Sequence, residues 1–591
     1  MTDKTIKRIP YGLANYERVV QNNCYYVDKT MYLKTVEESG DYLFFIRPRR
    51  FGKSLFLSVM QAYYDVHYKD RFEELFKGTW IYDHPTAERG TYLVLKFNFS
   101  VIDPKLEKFE ESFLLYLKEQ GNAFLSRYKT LLDVDYKPAL EEIRKMNSSS
   151  DILRRLINLC NMSSRQVYVI IDEYDNFANT ILSTTGPDDY EKLTHGTGSF
   201  RSFFNVLKGG TTDTGAPITR SFVTGVSPVT MDDVTSGYNI GKNVSLEPDL
   251  NRMLGFTEDD VVEMVEYYRS KGLVNHSTDY LLGIMTEWYG NYLFSEYDDV
   301  RLFNSDMILY FFDNYLTRKK LPDDLIDRNV RMDYGKLRHL ITVDKGGKKV
   351  SNGNFERLRE IIKEGKTLSG LVKGFPLEKL TNRENFISLL FYFGLLTVKG
   401  TEAAALALEI PNETIRRLYY DYIKEAYEET DIFALDLYTY NRLMRGMAME
   451  GEWKPLLDYI TGRMRESISL RDLIAGEKSI QAFLNVYLGL STLYIIHTEK
   501  ELNKGYADIV MEPFTARYES LNYSYILEIK YIKAEVKPGD PKVRRLKSEA
   551  EEQLRVYSID EKYGKVIEKT TLVKLVLIFS GHEAVYIGDV K

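Results

Sequence analysis

At 591 residues the chain exceeds what one hydrophobic core supports, and its 44% apolar and 28% charged make-up excludes a disordered or fibrous protein. A net charge of −7 excludes a protein that coats nucleic acid through bulk positive charge, so any such contact has to be local. Cys24 and Cys160 form neither a disulfide framework nor a CxxC metal site, and with no signal-peptide core and no apolar run near the roughly 20 residues a bilayer requires, the sequence reads as soluble, cytoplasmic and without a membrane partner.

Residues 1–250 alternate short apolar runs with amphipathic stretches. Strands are expected at Tyr42–Ile46, Tyr92–Phe97, Val167–Ile171 and Ser221–Val226, with crossover helices such as Phe109–Tyr128 and Asp151–Leu159 between them. Buried runs separated by helices argue for a parallel sheet covered on both faces, and so for an α/β fold.

The strongest local signal is FFIRPRRFGKSLFLSVM at 44–60, where an apolar strand leads through a tight turn into an amphipathic helix. Such a turn aims backbone N–H groups at a phosphate on the positive end of the helix dipole. The loop Arg49-Arg50-Phe51-Gly52-Lys53-Ser54 is expected to bind ATP, with Lys53 reaching the β- and γ-phosphates and Ser54 ligating Mg²⁺. The first glycine of GxxxxGK[ST] is missing, because Arg47 stands there. A basic turn that only caps a helix is the bland alternative. Downstream, VYVII runs into Asp172-Glu173, a carboxylate pair at the end of a buried strand where parallel sheets bind ligands. Asp172 is expected to hold Mg²⁺ and Glu173 to polarise the attacking water. The next strand, SFVTGVSP, offers Thr224 or Ser227 as a γ-phosphate sensor.

The stretches IPYGLANY, YYVDKT, FIRPRRFGKS, VIIDEYDN, FVTGVSPVT, LGFTEDDV and WYGNYLFS occur in order across residues 8–300 and resemble the AAA-ATPase-like family. That family carries RPRRFGKS in place of the glycine-first loop, so the departure at Arg47 matches its pattern. The resemblance implies ATP binding with hydrolysis.

From about 250 the pattern turns helical, with helices expected at Asp259–Lys271 and Ser305–Leu316. Helix Glu384–Phe393, a hairpin from LLTVKG and ALALEIP, and a helix from Asn412 suggest a winged-helix shape. Beyond 470, a helix at Lys478–Leu490 precedes strands near Leu493–His497, Ala507–Met511 and Tyr525–Ile532, followed by a charged helix Leu546–Tyr563 and strands Leu572–Phe579 and Ala584–Ile587. The segment KPGDP at 537–541 is read as a break between strand and helix.

In this last region Asp508 lies in GYADIVMEP, and Glu528 and Lys530 lie in YSYILEIKYIK. Strand alternation puts Glu528 and Lys530 on one face. With Asp508 on a neighbouring strand, two carboxylates can chelate Mg²⁺ or Mn²⁺ while Lys530 orients or deprotonates a water. A solvated edge with a cross-strand ion pair is the alternative, weakened by apolar Ile526, Leu527 and Ile529 around it. The pattern resembles the PD-(D/E)XK nuclease superfamily over roughly 470–591. The resemblance implies metal ligation by Asp508 and Glu528, a catalytic lysine at Lys530, a glutamine near the site at Gln553 and an acidic residue on the first helix at Glu477; Ala507 stands in place of the name-giving proline. Lys533, Lys537, Lys542, Arg544, Arg545 and Lys547 form a local basic cluster suited to DNA or RNA phosphates.

The expectation is an α/β chain with a P-loop core at 1–250, a helical lid and linker region at 251–378, a small winged-helix unit at 379–465 and a restriction-endonuclease-like domain at 466–591. It is read as an ATP-dependent switch or motor coupled to a metal-dependent nuclease-like domain. The competing reading is a nucleotide-gated signalling or scaffold ATPase whose nuclease-like domain only binds a partner.

Overall fold

Runs rich in Val, Ile and Phe at Tyr42–Ile46 (β1), Leu93–Asn98 (β2), Val167–Asp172 (β3) and Ile218–Gly225 (β4) join the two-residue Lys242–Asn243 (β5) in one parallel sheet of order β2-β3-β4-β1-β5. The computed structural model describes residues 6–590 apart from 104, 177–197, 213–214, 230–237, 331–353, 403–404, 429–435, 467–475, 504, 516–517, 519, 534 and 568. Thr230, at the end of FVTGVSPVT, and the part of the expected lid region at 331–353 lie outside the described residues. By contact the chain divides into two units. The first comprises Met1–Lys320, Asp324–Arg357 and Lys366–Asn412, and the second Leu321–Asp323, Leu358–Gly365 and Glu413–Lys591.

In the first unit every residue of β3 is buried, as a strand covered on both faces requires. Helix α1 (Lys53–Tyr64) packs on β3 and β2, while α2 (Leu106–Tyr128), α3 (Ser149–Met162) and α4 (Ser199–Thr212) pack on one another. Lys96 reaches Gln61 of α1, whereas its neighbour Phe97 meets Phe203 of α4 edge to face. Since successive strand residues point oppositely, the two helices cover opposite faces. Parallel register aligns Ile46 with Gly225 and Asn98 with Asp172, gathering the carboxyl ends of the strands where α1 begins.

After the sheet come α5 (Glu258–Ser270), α6 (Thr278–Tyr289) and α7 (Ser305–Arg318). Thr257 and Asp260 cap α5 reciprocally, and Lys29 of the N-terminal segment bonds Asp260 at 2.6 Å. The expected hairpin is present: β7 (Thr397–Glu402) pairs antiparallel with β8 (Ala405–Glu409), and β6 (Lys366–Leu368) adds a third strand beside α8 (Arg383–Tyr392). This small sheet sits against the P-loop half. Thr397 accepts from Leu293 N–H at 2.7 Å, and a Cβ on Gly394 would stand 2.8 Å from Pro48.

The second unit holds a mixed sheet of order β13-β12-β11-β10-β9, formed by β9 (Tyr494–Leu502), β10 (Gly505–Pro513), β11 (Tyr523–Ile532), β12 (Thr571–Ser580) and β13 (Glu583–Val590). Only β11 and β12 run parallel, which the crossover helix α13 (Pro541–Tyr557) permits. Helices α9 (Glu413–Glu428), α10 (Leu437–Glu450), α11 (Trp453–Glu466) and α12 (Glu477–Gly489) precede the sheet; α12 packs on β9, and α10 is tied to the sheet by the Tyr525 hydroxyl donating to Met447 O. The sequence placed α13 at Leu546–Tyr563; KPGDP does break the chain between β11 and the helix, but the helix already begins at its last residue, Pro541. Asp540 caps the helix through Lys542 N–H with Pro541 in the first turn. It stops at Tyr557, and Asp560 caps a separate turn at Glu561–Val566.

Candidate functional site

Two constellations form, one in each unit. In the first, Ile46 ends β1 and the loop turns through Arg50 (φ 68°) and Gly52 (φ 94°) into α1. Gly52 serves as the N-cap in a left-handed conformation that a side chain would strain. Lys53 is buried and donates to Arg47 O and Pro48 O, both at 2.9 Å. Burial pushes its ammonium below the ordinary value, with Glu173, Asp172 and Asp175 opposing.

Ser54 Oγ donates to Asp172 Oδ2 at 2.6 Å, and among the described residues no donor reaches the buried Asp172 Oδ1. A bare carboxylate oxygen beside a hydroxyl suits a hard cation such as Mg²⁺. Glu173 follows in a left-handed conformation (φ 53°), strain of the kind that collects at functional positions. Burial raises its pKa, with Lys53 opposing. Asp175 accepts the N–H groups of Val226 and Ser227, locking this turn to the end of β4.

A cavity of about 510 Å³ opens over this loop. Its lining combines charged and polar Arg49, Lys53, Glu173 and Asn176 with apolar Leu13, Val27, Leu254 and Leu309. Arg50 and Phe51 of the loop also line it, whereas Thr224 and Ser227 are not among its lining residues. The ring of Phe51 is buried edge to face against Tyr292 and Phe294. Arg50 pairs with Asp306 at 2.6 Å and approaches Asp327 at 3.5 Å. Thr224, read as a sensor, gives its hydroxyl to Phe45 O, and Ser227 Oγ accepts from Val229 N–H. Asn98 and Asn176, which the sequence reading passed over, line the cavity. Asn98 carried the same signal as Asp172, a polar residue closing an apolar strand.

Arg47 proves to be a core residue. It is 1% exposed, lies between the rings of Phe45 and Phe294 at 4.4 and 4.5 Å, and donates to Ser245 O and Leu250 O. Burial lowers its pKa to about 9. Arg47→Gly, which restores the glycine of the common loop, is therefore expected to destabilise the fold by about 3 kcal/mol through a void and orphaned carbonyls, read as a lower denaturation midpoint.

In the second unit β10 and β11 pair at Ile509 and Leu527 and then part, because Asp508 Oδ2 takes Ile529 N–H at 2.7 Å. Lys530 Nζ donates to Glu528 Oε1 at 2.8 Å, and no described donor reaches the buried Glu528 Oε2. Burial raises the Glu528 pKa to about 7, Asp508 adds to the rise and Lys530 opposes it. For Lys530, burial disfavours the charge, but Glu528, Asp508 and Glu477 outweigh it and the pKa is raised. Glu477 on α12 thus acts on this site, and Gln481, one turn later, donates to Asp508 O at 2.7 Å. Gln553 bonds Tyr557, whose hydroxyl is pushed up to about 12 by burial, with Glu528 and Asp508 adding.

Among the described residues no three His, Cys, Asp or Glu side chains gather closely enough to hold an ion by themselves. Two carboxylates with a bare oxygen fit a cation that completes its shell with water or phosphate oxygens. A carboxyl with a raised pKa adds stability below its ordinary 4.5 and loses it as pH rises through about 7, whereas an ion needs the ionised form. The rise in unfolding temperature on adding Mn²⁺ is therefore expected to grow as pH climbs through about 7, and to lose that dependence in Glu528→Gln.

The basic residues beyond β11 are solvent-facing: Lys533, Lys537, Lys542, Arg544 and Arg545 are exposed, and Lys547 lies over the Tyr586 ring at 4.7 Å. No helix among the described residues is long and apolar enough to cross a membrane.

Comparison with known proteins agrees with this division. Residues 10–235 match the family model described as predicted AAA-ATPase, and residues 475–588 match that of the PD-(D/E)XK nuclease superfamily. An uncharacterized protein in the vnfD 5' region of Azotobacter chroococcum mcd 1 is 26% identical over 258 residues. That match takes in 43% of this chain and 44% of the relative, less than half of either.

Proposed function

We propose, from the premise that the chain joins an AAA-ATPase-like domain to a PD-(D/E)XK-superfamily domain, that it binds and hydrolyses ATP and uses nucleotide state to control metal-dependent cleavage of nucleic acid. One observation supports both halves: Asp172 and Glu528 are buried carboxylates that each keep one oxygen bare beside a polar partner, Ser54 or Lys530. Burying such an oxygen without a donor is costly unless a cation completes it.

At the first site the amides at the start of α1 and the Lys53 ammonium hold the phosphates, and Glu173 takes a proton from the attacking water. A magnesium ion held by Ser54 and Asp172 would offset charge on the transferring phosphoryl group. At the second, the Lys530 ammonium orients a water while Asp508 and Glu528 face the scissile phosphate. A magnesium or manganese ion held by those carboxylates would stabilise charge developing on it. The exposed lysines and arginines around α13 provide the local positive charge that a chain of net −7 otherwise lacks. Two cysteines outside any disulfide suit a cytoplasmic setting.

The test incubates the full chain with ATP, Mg²⁺ or Mn²⁺, and single- and double-stranded DNA and RNA. Phosphate release lost in Lys53→Ala and cleavage lost in Lys530→Ala are the expected results. Wild-type protein inert toward every substrate would leave the nuclease-like domain a binding module.

A further inference from the structure

The nucleotide cavity has a neighbour. On the outer side of the edge strand β2, between α1 and α2, a cleft of about 680 Å³ is walled by Gln61, His67, Lys96, Asn98, Gln120 and Arg127. Its lining contains no carboxylate, although the chain as a whole carries more acidic than basic residues. Asn98 belongs to both cavities, so the cleft adjoins the space over Asp172 and Glu173.

Two cations, Lys96 and Arg127, line the cleft. Lys96 Nζ has a single long hydrogen bond, to Gln61 Oε1 at 3.4 Å, and lies in no ion pair among the described residues. Arg127 stands nearby with Nε 3.2 Å from Asp65 Oδ2, its guanidinium over the Tyr68 ring at 5.4 Å. Burial lowers the Lys96 pKa and Arg127 lowers it further, with the Asp172 carboxylate opposing, so the two cations repel each other. The backbone contributes too. Leu93 N–H bonds inward to Gln166 O, while Val94 and Asn98 N–H turn outward to the Tyr128 and Tyr116 hydroxyls at 3.0 and 2.6 Å. Strand alternation turns Lys96 N–H the same outward way, between those two hydroxyls.

We propose that this cleft is an anion subsite that takes a tetrahedral oxyanion the size of inorganic phosphate, with Lys96 as its counter-charge and Arg127 as its second cationic wall. The anion arrives either from solution or, on the reading that the neighbouring site hydrolyses ATP, as the phosphate product passing Asn98. Both sources present the same chemistry, three or four charged acceptor oxygens for a set of converging donors.

Equilibrium dialysis of labelled inorganic phosphate decides the site. It is run on the full chain saturated with Mg²⁺ and a non-hydrolysable ATP analogue, and on nucleotide-free Lys53→Ala, so that P-loop occupancy does not contribute and failure of nucleotide binding is seen separately. Saturable binding is expected in both, weakened at least about tenfold by Lys96→Gln and restored by Lys96→Arg, with circular dichroism confirming that each variant folds. Equal binding by wild type and Lys96→Gln, or none in wild type, overturns the proposal. Product inhibition of ATP turnover distinguishes the sources. If added phosphate inhibits Lys96→Gln less than wild type, the product uses the cleft; if dialysis changes and inhibition does not, the cleft is filled from solution.

Discussion

Lys530→Met is expected to lower metal-dependent cleavage by about a thousandfold while leaving nucleotide binding unchanged. Methionine keeps the stem of the side chain and deletes the ammonium that touches Glu528 at 2.8 Å. Two losses follow. The water near the scissile phosphate loses its positioning cation, and Glu528, 2% exposed and beside Asp508, loses its counter-charge. Removing one partner of a buried pair commonly costs roughly 3–5 kcal/mol, but Glu528 can take up a proton instead, since its pKa already stands at about 7. Stability should fall modestly and recover in Lys530→Met with Glu528→Gln, while cleavage stays lost. Recovery of stability without activity, by calorimetry and a nuclease assay on the same preparations, separates a catalytic ammonium from a structural one. A Lys530→Met protein that cuts as wild type does removes the lysine from the mechanism.

Glu173→Gln is expected to leave nucleotide affinity within the range of wild type and to slow phosphate release by about a hundred- to ten-thousandfold. Glutamine has the shape of glutamate and occupies the same left-handed position, so the cavity keeps its form, but it cannot accept a proton from water. Lys53→Ala behaves differently. It removes the donor shared by Arg47 O and Pro48 O as well as the phosphate ligand, so affinity and turnover fall together. A fluorescent-nucleotide titration alongside a phosphate-release assay reads both. Equal turnover by Glu173→Gln and wild type would give the proton-accepting role to another group.

Much of this architecture is visible in the chain itself, because the strands are continuous apolar runs and the chemistry sits at their ends. Ile46 and Asp172 close strands that hydrophobic patterning locates directly, and within β11 alternation puts Glu528 and Lys530 on one face. What escaped was set by partners distant in sequence. Strand β5 has two residues and no pattern of its own. The sequence marks Arg47 only as the residue standing at the loop's missing glycine and carries no sign of its burial, because its environment is made by Ser245, Leu250 and Phe294. Arg50 likewise answers to Asp306 and Asp327. The start of α13 was missed for a local reason: a Gly-Asp-Pro string reads as a turn, and the same Asp and Pro make a good helix cap and first turn.

The loop's grip on its own lysine sets an entry condition for ligands. Because Lys53 is already satisfied by Arg47 O and Pro48 O, an arriving anion has to displace two neutral dipoles that are tethered in place and always present. A doubly or triply charged polyphosphate tail can do so. A nucleoside, which carries no phosphate charge, gains too little to open it. The chain's own carbonyls thus act as a resident competitor for the lysine, one that only a ligand of sufficient negative charge displaces.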